Sequence, residues 1–287
     1  MTEREHQDAL RVRDLSVSFV TRDHSVRAVE GVSFDLAPGE IVGLVGESGC
    51  GKSVTSLSIL GLHEKPAGRV TGSIRLGEQE LVGLPNSELR RVRGNRVSMI
   101  FQDPLSSLNP YLRIEEQLGE VLELHLGMRG KAARPRMLES LKQVGIPGEE
   151  RLRAYPHQLS GGMRQRVCIA RTLVLQPRLI LLDEPFGALD QQTRLLMGDE
   201  LLRLWRETSA TVLLITHALD EANLLSDRIG VMSARPGCFI DIVETGWPQD
   251  RDSRLAERAD FGAVTSRLWS LLRSESMRAM GQGARAR

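Results

Sequence analysis

The feature that most constrains the fold is the stretch "GESGCGKS", residues 46–53, set between the apolar run "EIVGLVG" and the helix-period run "KSVTSLSILGL". It matches G-x-x-x-x-G-K-[ST], in which glycines let successive backbone N–H groups curl around a phosphate and the following helix adds its positive end. A chain built on this signal needs a buried strand that stops at a loop and turns directly into a helix. A short continuous apolar strand of this kind is covered on both faces, which places it inside a parallel sheet. A glycine-rich turn that merely precedes a helix is the bland alternative, and motif and context together argue against it.

The rest of the chain supplies such a sheet. "MRQRVCIARTLVL", "RLILLDEP", "QTRLLMGDELLRLWRET" and "ATVLLITH" alternate helix and buried strand, the rhythm of βαβ units. Ahead of the P-loop, "LRVRDLSVSFV" and "AVEGVSFDLAPGEIVGLVG" alternate apolar with polar positions around a turn at Pro38 and Gly39, as half-buried antiparallel strands do. Residues 70–101 read as more strands, ending in "RVSMIF". From Asp103 to about Gln158 the texture becomes helical, broken by Pro and Gly, which predicts an inserted helical subdomain. Beyond Arg235 come a weak strand, "CFIDIV", and a helix, "ERADFGAVTSRLWSLLR". The basic tail "RSESMRAMGQGARAR" reads as a solvated, frayed end in preference to a binding arm. The expected division is an antiparallel β and P-loop part over 10–101, a helical subdomain over 102–158, the remainder of the core over 159–235, and a C-terminal extension over 236–287.

Composition removes several function classes. With 287 residues, 41% of them hydrophobic, the chain can bury a large α/β core without staples. A formal net charge of +1 gives no field to steer nucleic acid or anionic lipid. Cys50, Cys168 and Cys238 are odd in number and fit no metal-ligand spacing, which points to a reducing cytosolic compartment. No apolar run approaches the roughly 18 residues of a membrane span, and "MTEREHQDAL" is too polar for a signal peptide. Work at a membrane would therefore go through partner proteins.

Within the P-loop, Lys52 is placed to reach the β- and γ-phosphates and the Ser53 hydroxyl to bind Mg²⁺. The strand "LILLDEP" delivers Asp183 and Glu184 at its C-terminal end, where open α/β sheets hold ligands. Asp183 suits a metal and Glu184 the orientation of an attacking water; a solvated turn of paired acids is the competing reading. The strand "TVLLITH" ends in His217, a structural histidine or a contact to the γ-phosphate, and Gln102 closes "VSMIF" where the helical block begins. Ser160, Gly161 and Gly162 stand before an Arg-rich amphipathic run, which resembles a second phosphate cradle at a helix start.

The set, in this order, resembles the ATP-binding subunits of ABC transporters: the P-loop, Gln102, "LSGGMRQR", "LLDEP", the 187–190 stretch and His217, over about residues 10–235. The resemblance implies an α/β fold, an ABC-type P-loop NTPase with a mostly parallel core sheet, an antiparallel β subdomain and an inserted α-helical subdomain. It implies ATP and Mg²⁺ as cofactors, with Gly46, Glu47, Ser48, Gly49, Cys50, Gly51, Lys52, Ser53 and Val54 around the nucleotide. Phe19 falls on the family's adenine-stacking aromatic, or is a core aromatic on an alternating strand. Glu184, His217 and Gln102 carry catalysis in the family's scheme, with Ser53, Gln102 and Asp183 at the metal. Two cassettes pack head to tail, so Ser160, Gly161, Gly162 and Gln165 would bind the partner's ATP, and Asp190 would communicate across the dimer. Gly187 stands where the family often has Ser, which puts a hydroxyl contact there in doubt.

A separate cassette subunit is the usual arrangement of bacterial importers. The expected partners are transmembrane permease subunits, a second ABC ATPase subunit and, indirectly, an extracytoplasmic solute-binding protein, with no nucleic acid. The expected location is peripheral, at the cytoplasmic face of the inner membrane. Residues 60–117 are similar to oligopeptide, dipeptide and nickel importers, whereas "LLDEPFGALDQQTR" and "THALDEANLLSDRIGVMSARPG" look more like nitrate, sulfonate or taurine importers. The segment after Gln102 faces the membrane subunits in this family, so the peptide and nickel side is preferred. An exporter ATPase and a soluble nucleic-acid-linked ATPase are the remaining alternatives.

Overall fold

A computed structural model describes residues 9–20, 25–63, 68–102, 107–187 and 189–285, with backbone only at 276 and 278–285. The first residues of the expected helical block, 103–106, and Ala188 of the 187–190 stretch lie outside the described residues. In chain order the first elements are β1 (Leu10–Val20), β2 (Ser25–Leu36), β3 (Ile41–Val45), α1 (Lys52–Ile59), β4 (Gly68–Leu76), β5 (Gln79–Glu80), α2 (Asn86–Val92) and β6 (Val97–Ile100). The helical block follows as α3 (Ile114–Leu126), α4 (Arg134–Gln143) and α5 (Glu149–Leu152). The remainder is α6 (Gly161–Leu173), β7 (Leu179–Asp183), α7 (Gln191–Thr208), β8 (Thr211–Ile215), α8 (Leu219–Leu225), β9 (Arg228–Met232), β10 (Phe239–Glu244) and α9 (Ala259–Arg285).

Two sheets result. One is antiparallel, in the order β2-β1-β4-β5; the other runs β10-β9-β3-β8-β7-β6 and is parallel except for its β10 edge. Every residue of β3, β7 and β8 is buried, as expected of strands covered on both faces. The strands β3, β6, β7 and β8 share one direction, so the residues following them emerge along a single edge of the sheet. In β1 the alternation breaks at Asp14, whose φ of 48° marks a bulge where both partner strands shift register.

Residues 70–101 are not all strand: α2 occupies Asn86–Val92, a correction to the sequence reading. Pro85 precedes it, Glu88 sits in its first turn, and Leu89 and Val92, three apart, are its buried contacts. The inserted block packs by helical periodicity. Ile114, Leu118 and Leu122 of α3, spaced by four, bury against Met137 and Leu141 of α4 and Val167 of α6.

The stretch 236–287 adds to the large sheet: β10 pairs with β9, and α9 buries Leu268 and Leu272 over Ile229 and Val231. The backbone of α9 continues to Arg285, through the tail that the sequence presented as frayed. Arg251 staples this region down. Its side chain is fully buried, donates to the carbonyls of Leu224 and Leu225 at 3.0 and 2.6 Å, pairs with Asp227 at 2.8 Å and lies over the ring of Trp205. The two carbonyls end α8, where a helix leaves its last acceptors without intrahelical donors.

Candidate nucleotide site

The loop after β3 turns at Gly49 and Gly51, with φ of 78° and 106°. A Cβ on Gly51 would stand 2.7 Å from Val29 Cγ2 and 2.8 Å from the Ala28 carbonyl, so β2 packs too close for any other residue. Lys52 is buried, and its Nζ donates to the carbonyls of Gly46 (2.7 Å) and Glu47 (2.9 Å), holding the ammonium across the loop. The loop 233–238 braces it from behind. Gly237 exchanges backbone bonds with Ala28 and Glu30 and lies against Cys50, and Arg235 donates to the Gly49 carbonyl at 3.4 Å. Sequence reading missed this brace, because "SARPG" carries no phosphate signature of its own.

The neighbouring strand ends converge on this loop. Ser53 Oγ donates to Asp183 Oδ1 at 3.0 Å. Burial raises the Asp183 pKa and the adjacent Glu184 charge adds to that, while the Ser53 bond and Lys52 oppose it. Glu184 adopts a left-handed backbone, φ 48°, fixed by its N–H on the Ile215 carbonyl (2.7 Å) and by its carbonyl accepting from Gly187 (3.1 Å). That conformation costs on the order of 1–3 kcal/mol for a side chain other than glycine, and it turns the carboxylate out of the sheet. The carboxylate then accepts from Gln102 Nε2 at 3.1 Å and lies 3.1 Å from His217 Nδ1, which the acceptor oxygen assigns as the protonated nitrogen. Glu184, His217 and Gln102, from three separate parts of the sequence, thus form one cluster.

The His217 loop has its own support. Thr216 Oγ1 accepts from the Ala218 N–H at 3.0 Å and donates to Glu221 Oε2 at 2.8 Å, a pair of bonds that brackets His217. Glu221 was not singled out in the sequence; its place in the first turn of α8 was the available signal.

At the second cradle, Ser160 caps α6, its Oγ accepting the Met163 N–H at 3.3 Å. A Cβ on Gly161 or Gly162 would meet nothing within 4 Å, so neither glycine is required by this chain's own packing. Gln165 was expected at the partner's ATP, but its side chain is engaged within this chain. It is buried, and its Nε2 donates to the Pro185 carbonyl at 2.7 Å, tying α6 to the end of β7. Asp190 caps α7 through the Thr193 N–H (2.9 Å) and hydroxyl (2.7 Å), bonds that hold its pKa low. Phe19 is half-buried, packs against the core and sits edge-on to His63 at 5.7 Å, so the core contacts of its alternative reading are present.

A buried strand, a phosphate-cradling loop and carboxylates at the next strand end define a P-loop nucleotide hydrolase. The family model described as ABC transporter matches residues 29–187. The chain is 47% identical to the dipeptide transport ATP-binding protein DppD of Bacillus subtilis over 79% of its own length and 69% of that protein. It is 44% identical to the oligopeptide transport ATP-binding protein OppD of Salmonella typhimurium over 78% of its own length and 67% of that protein. Among solved structures it superposes on the dimeric structure of MJ0796, a bacterial ABC transporter cassette, with a TM-score of 0.71 and 28% identity, covering 83% of this chain and all of that one. The chain belongs to the ABC transporter family, as one of its ATP-hydrolysing cassettes.

Proposed function

We propose that this cassette powers import of peptides through a membrane permease, by ATP-driven closure of a head-to-tail pair of cassettes. The names of the relatives support the peptide side of the choice left open by the sequence. Among the described residues no helix is long and apolar enough to cross a membrane, so the proposed seat is peripheral, at the cytoplasmic face, on the permease subunits. A groove of about 650 Å³ between α3 and α4 offers a docking face, with Glu115, Glu120 and Glu123 on one wall and Arg129, Lys131 and Arg134 on the other. An extracytoplasmic solute-binding protein would deliver the peptide, and the cassette itself never touches it.

The observation that carries the catalytic reading is the seat of Glu184 between Gln102 and His217. Lys52 and the amides of 49–53 hold the β- and γ-phosphates. Ser53 Oγ and Asp183 Oδ1, 3.0 Å apart, are the hard oxygen donors that would hold Mg²⁺, with Gln102 as the further protein ligand expected from the sequence. An ion held there would offset the charge of the phosphates. Glu184 then orients and takes a proton from the attacking water, and His217, its Nδ1–H on that carboxylate, holds it beside the γ-phosphate. Ser160, Gly161 and Gly162, exposed or open at the N-terminus of α6, receive the γ-phosphate held by the partner cassette. Phe19 borders the adenine, and Asp190 reports closure to the partner.

The test is E184Q, which keeps the shape and removes the charge. Turnover should fall about 10²–10⁴-fold while ATP binding persists and a stable ATP-bound dimer accumulates on gel filtration. Hydrolysis at the original rate sinks the role given to Glu184.

A further inference from the structure

Two oppositely charged side chains, each with one unpartnered buried atom, line the same cavity of about 240 Å³ between α7 and α8. Glu221 is 7% exposed; its Oε2 takes the Thr216 hydroxyl at 2.8 Å, and its Oε1 has no partner. Arg194 comes from α7. Its Nη2 donates to the Leu189 carbonyl at 3.2 Å, while its Nε is buried without a partner. Burial raises the Glu221 pKa; the Thr216 bond opposes that, as do the charges of Arg194 and then His217. A buried charged group with an unmade bond is costly, and the partner that would complete each of these lies in the same cavity.

Each member also touches a loop of the site. Through Thr216, Glu221 fixes the turn that presents His217 to Glu184. Through Leu189, Arg194 holds the loop ahead of α7, which Asp190 caps. We propose that Arg194 and Glu221 are positioning residues for ATP hydrolysis, which close on each other across the cavity and couple the turn at Leu189 and Asp190 to the loop that holds His217. This rests on the roles given to Glu184 and His217 above. Neither residue reaches the nucleotide; both act through His217. Movement of Leu189 and Asp190 in a cassette dimer then sets the histidine, because the guanidinium that holds Leu189 is the one that closes on Glu221.

The test is steady-state ATP turnover of the full chain as wild type, R194M, R194K, E221Q and R194M/E221Q, with E184Q alongside and melting temperatures recorded. R194M and E221Q should each lower kcat about 5- to 50-fold with KM for ATP within about two-fold, since the P-loop is untouched. The double variant should be no slower than the worse single one, and R194K should recover part of the loss. If E221Q does not fold, R194M and R194K carry the test, since Arg194 is only half-buried. A kcat within two-fold of wild type for R194M, or a double variant whose loss is the product of the singles, overturns the coupling. Inactive E184Q beside fully active Arg194 and Glu221 variants removes this inference alone; active E184Q removes the catalytic reading beneath it as well.

Discussion

Replacing Gly162 by Ala separates what this chain needs for itself from what it offers a partner. The residue lies in the first turn of α6, and an added Cβ would meet nothing within 4 Å. Glycine in a helix is less stable than alanine by about 0.5–1 kcal/mol, so G162A should stabilise the free chain. At about 2–4 °C per kcal/mol for a chain of this size, the melting temperature should rise by about 1–4 °C. The same methyl would stand where the partner's γ-phosphate needs bare backbone. Losing one such preorganised donor costs about 10²–10³ in turnover. The assay pairs thermal unfolding of the free chain with phosphate release at saturating ATP, and the expected result is a more stable, nearly inactive protein. A lower melting temperature would mean that Gly162 serves internal packing, and unchanged turnover would refute the open glycines as a phosphate seat.

R251A should destabilise the chain by about 2–4 kcal/mol, because it leaves two helix-end carbonyls without their donors and takes the cation from half-buried Asp227, with R251K recovering part. A denaturant midpoint that implies a loss below about 1 kcal/mol would discount the staple. Burial lowers the pKa of His63, partly offset by a backbone bond to Val54, and burial also lowers that of His125. The unfolded chain therefore binds more protons than the folded one just below the ordinary histidine pKa of 6.5, so stability present above that pH is lost as pH falls through it toward the folded-state values. In H63Q/H125Q the decline in unfolding free energy between about pH 7 and pH 5 should flatten, and a slope equal to wild type would count against the assignment.

What the sequence made legible was whatever chemistry writes locally. Residues 46–53 and 179–185 announce themselves because loop glycines and strand-end carboxylates must stand at fixed offsets from buried strands. α2 was hidden because seven residues carrying Arg90 and Arg91 offer two buried contacts, too few for a periodicity to emerge. The left-handed backbone of Glu184 was not legible, since it is imposed by Ile215 and Gly187 and not by the residue's own preference. Gln165 reads as part of the set that binds the partner's ATP, yet its direction is decided by the Pro185 carbonyl, twenty residues away. Arg194, Glu221 and Arg251 look like ordinary surface charges until topology brings their partners to them.

The position of Arg251 bears on how the chain can be cut. It grips the C-terminal end of α8, the helix that follows His217 and carries Glu221, and α9 packs on α8 and β9 beyond it. A minimal cassette trimmed after the signature and histidine motifs, near residue 235, would keep every residue with a chemical role and lose the strut under one of them. Fusion tags and truncations at that end are therefore interventions in the machinery, and a faithful fragment extends at least to Leu272, which α9 buries against this sheet.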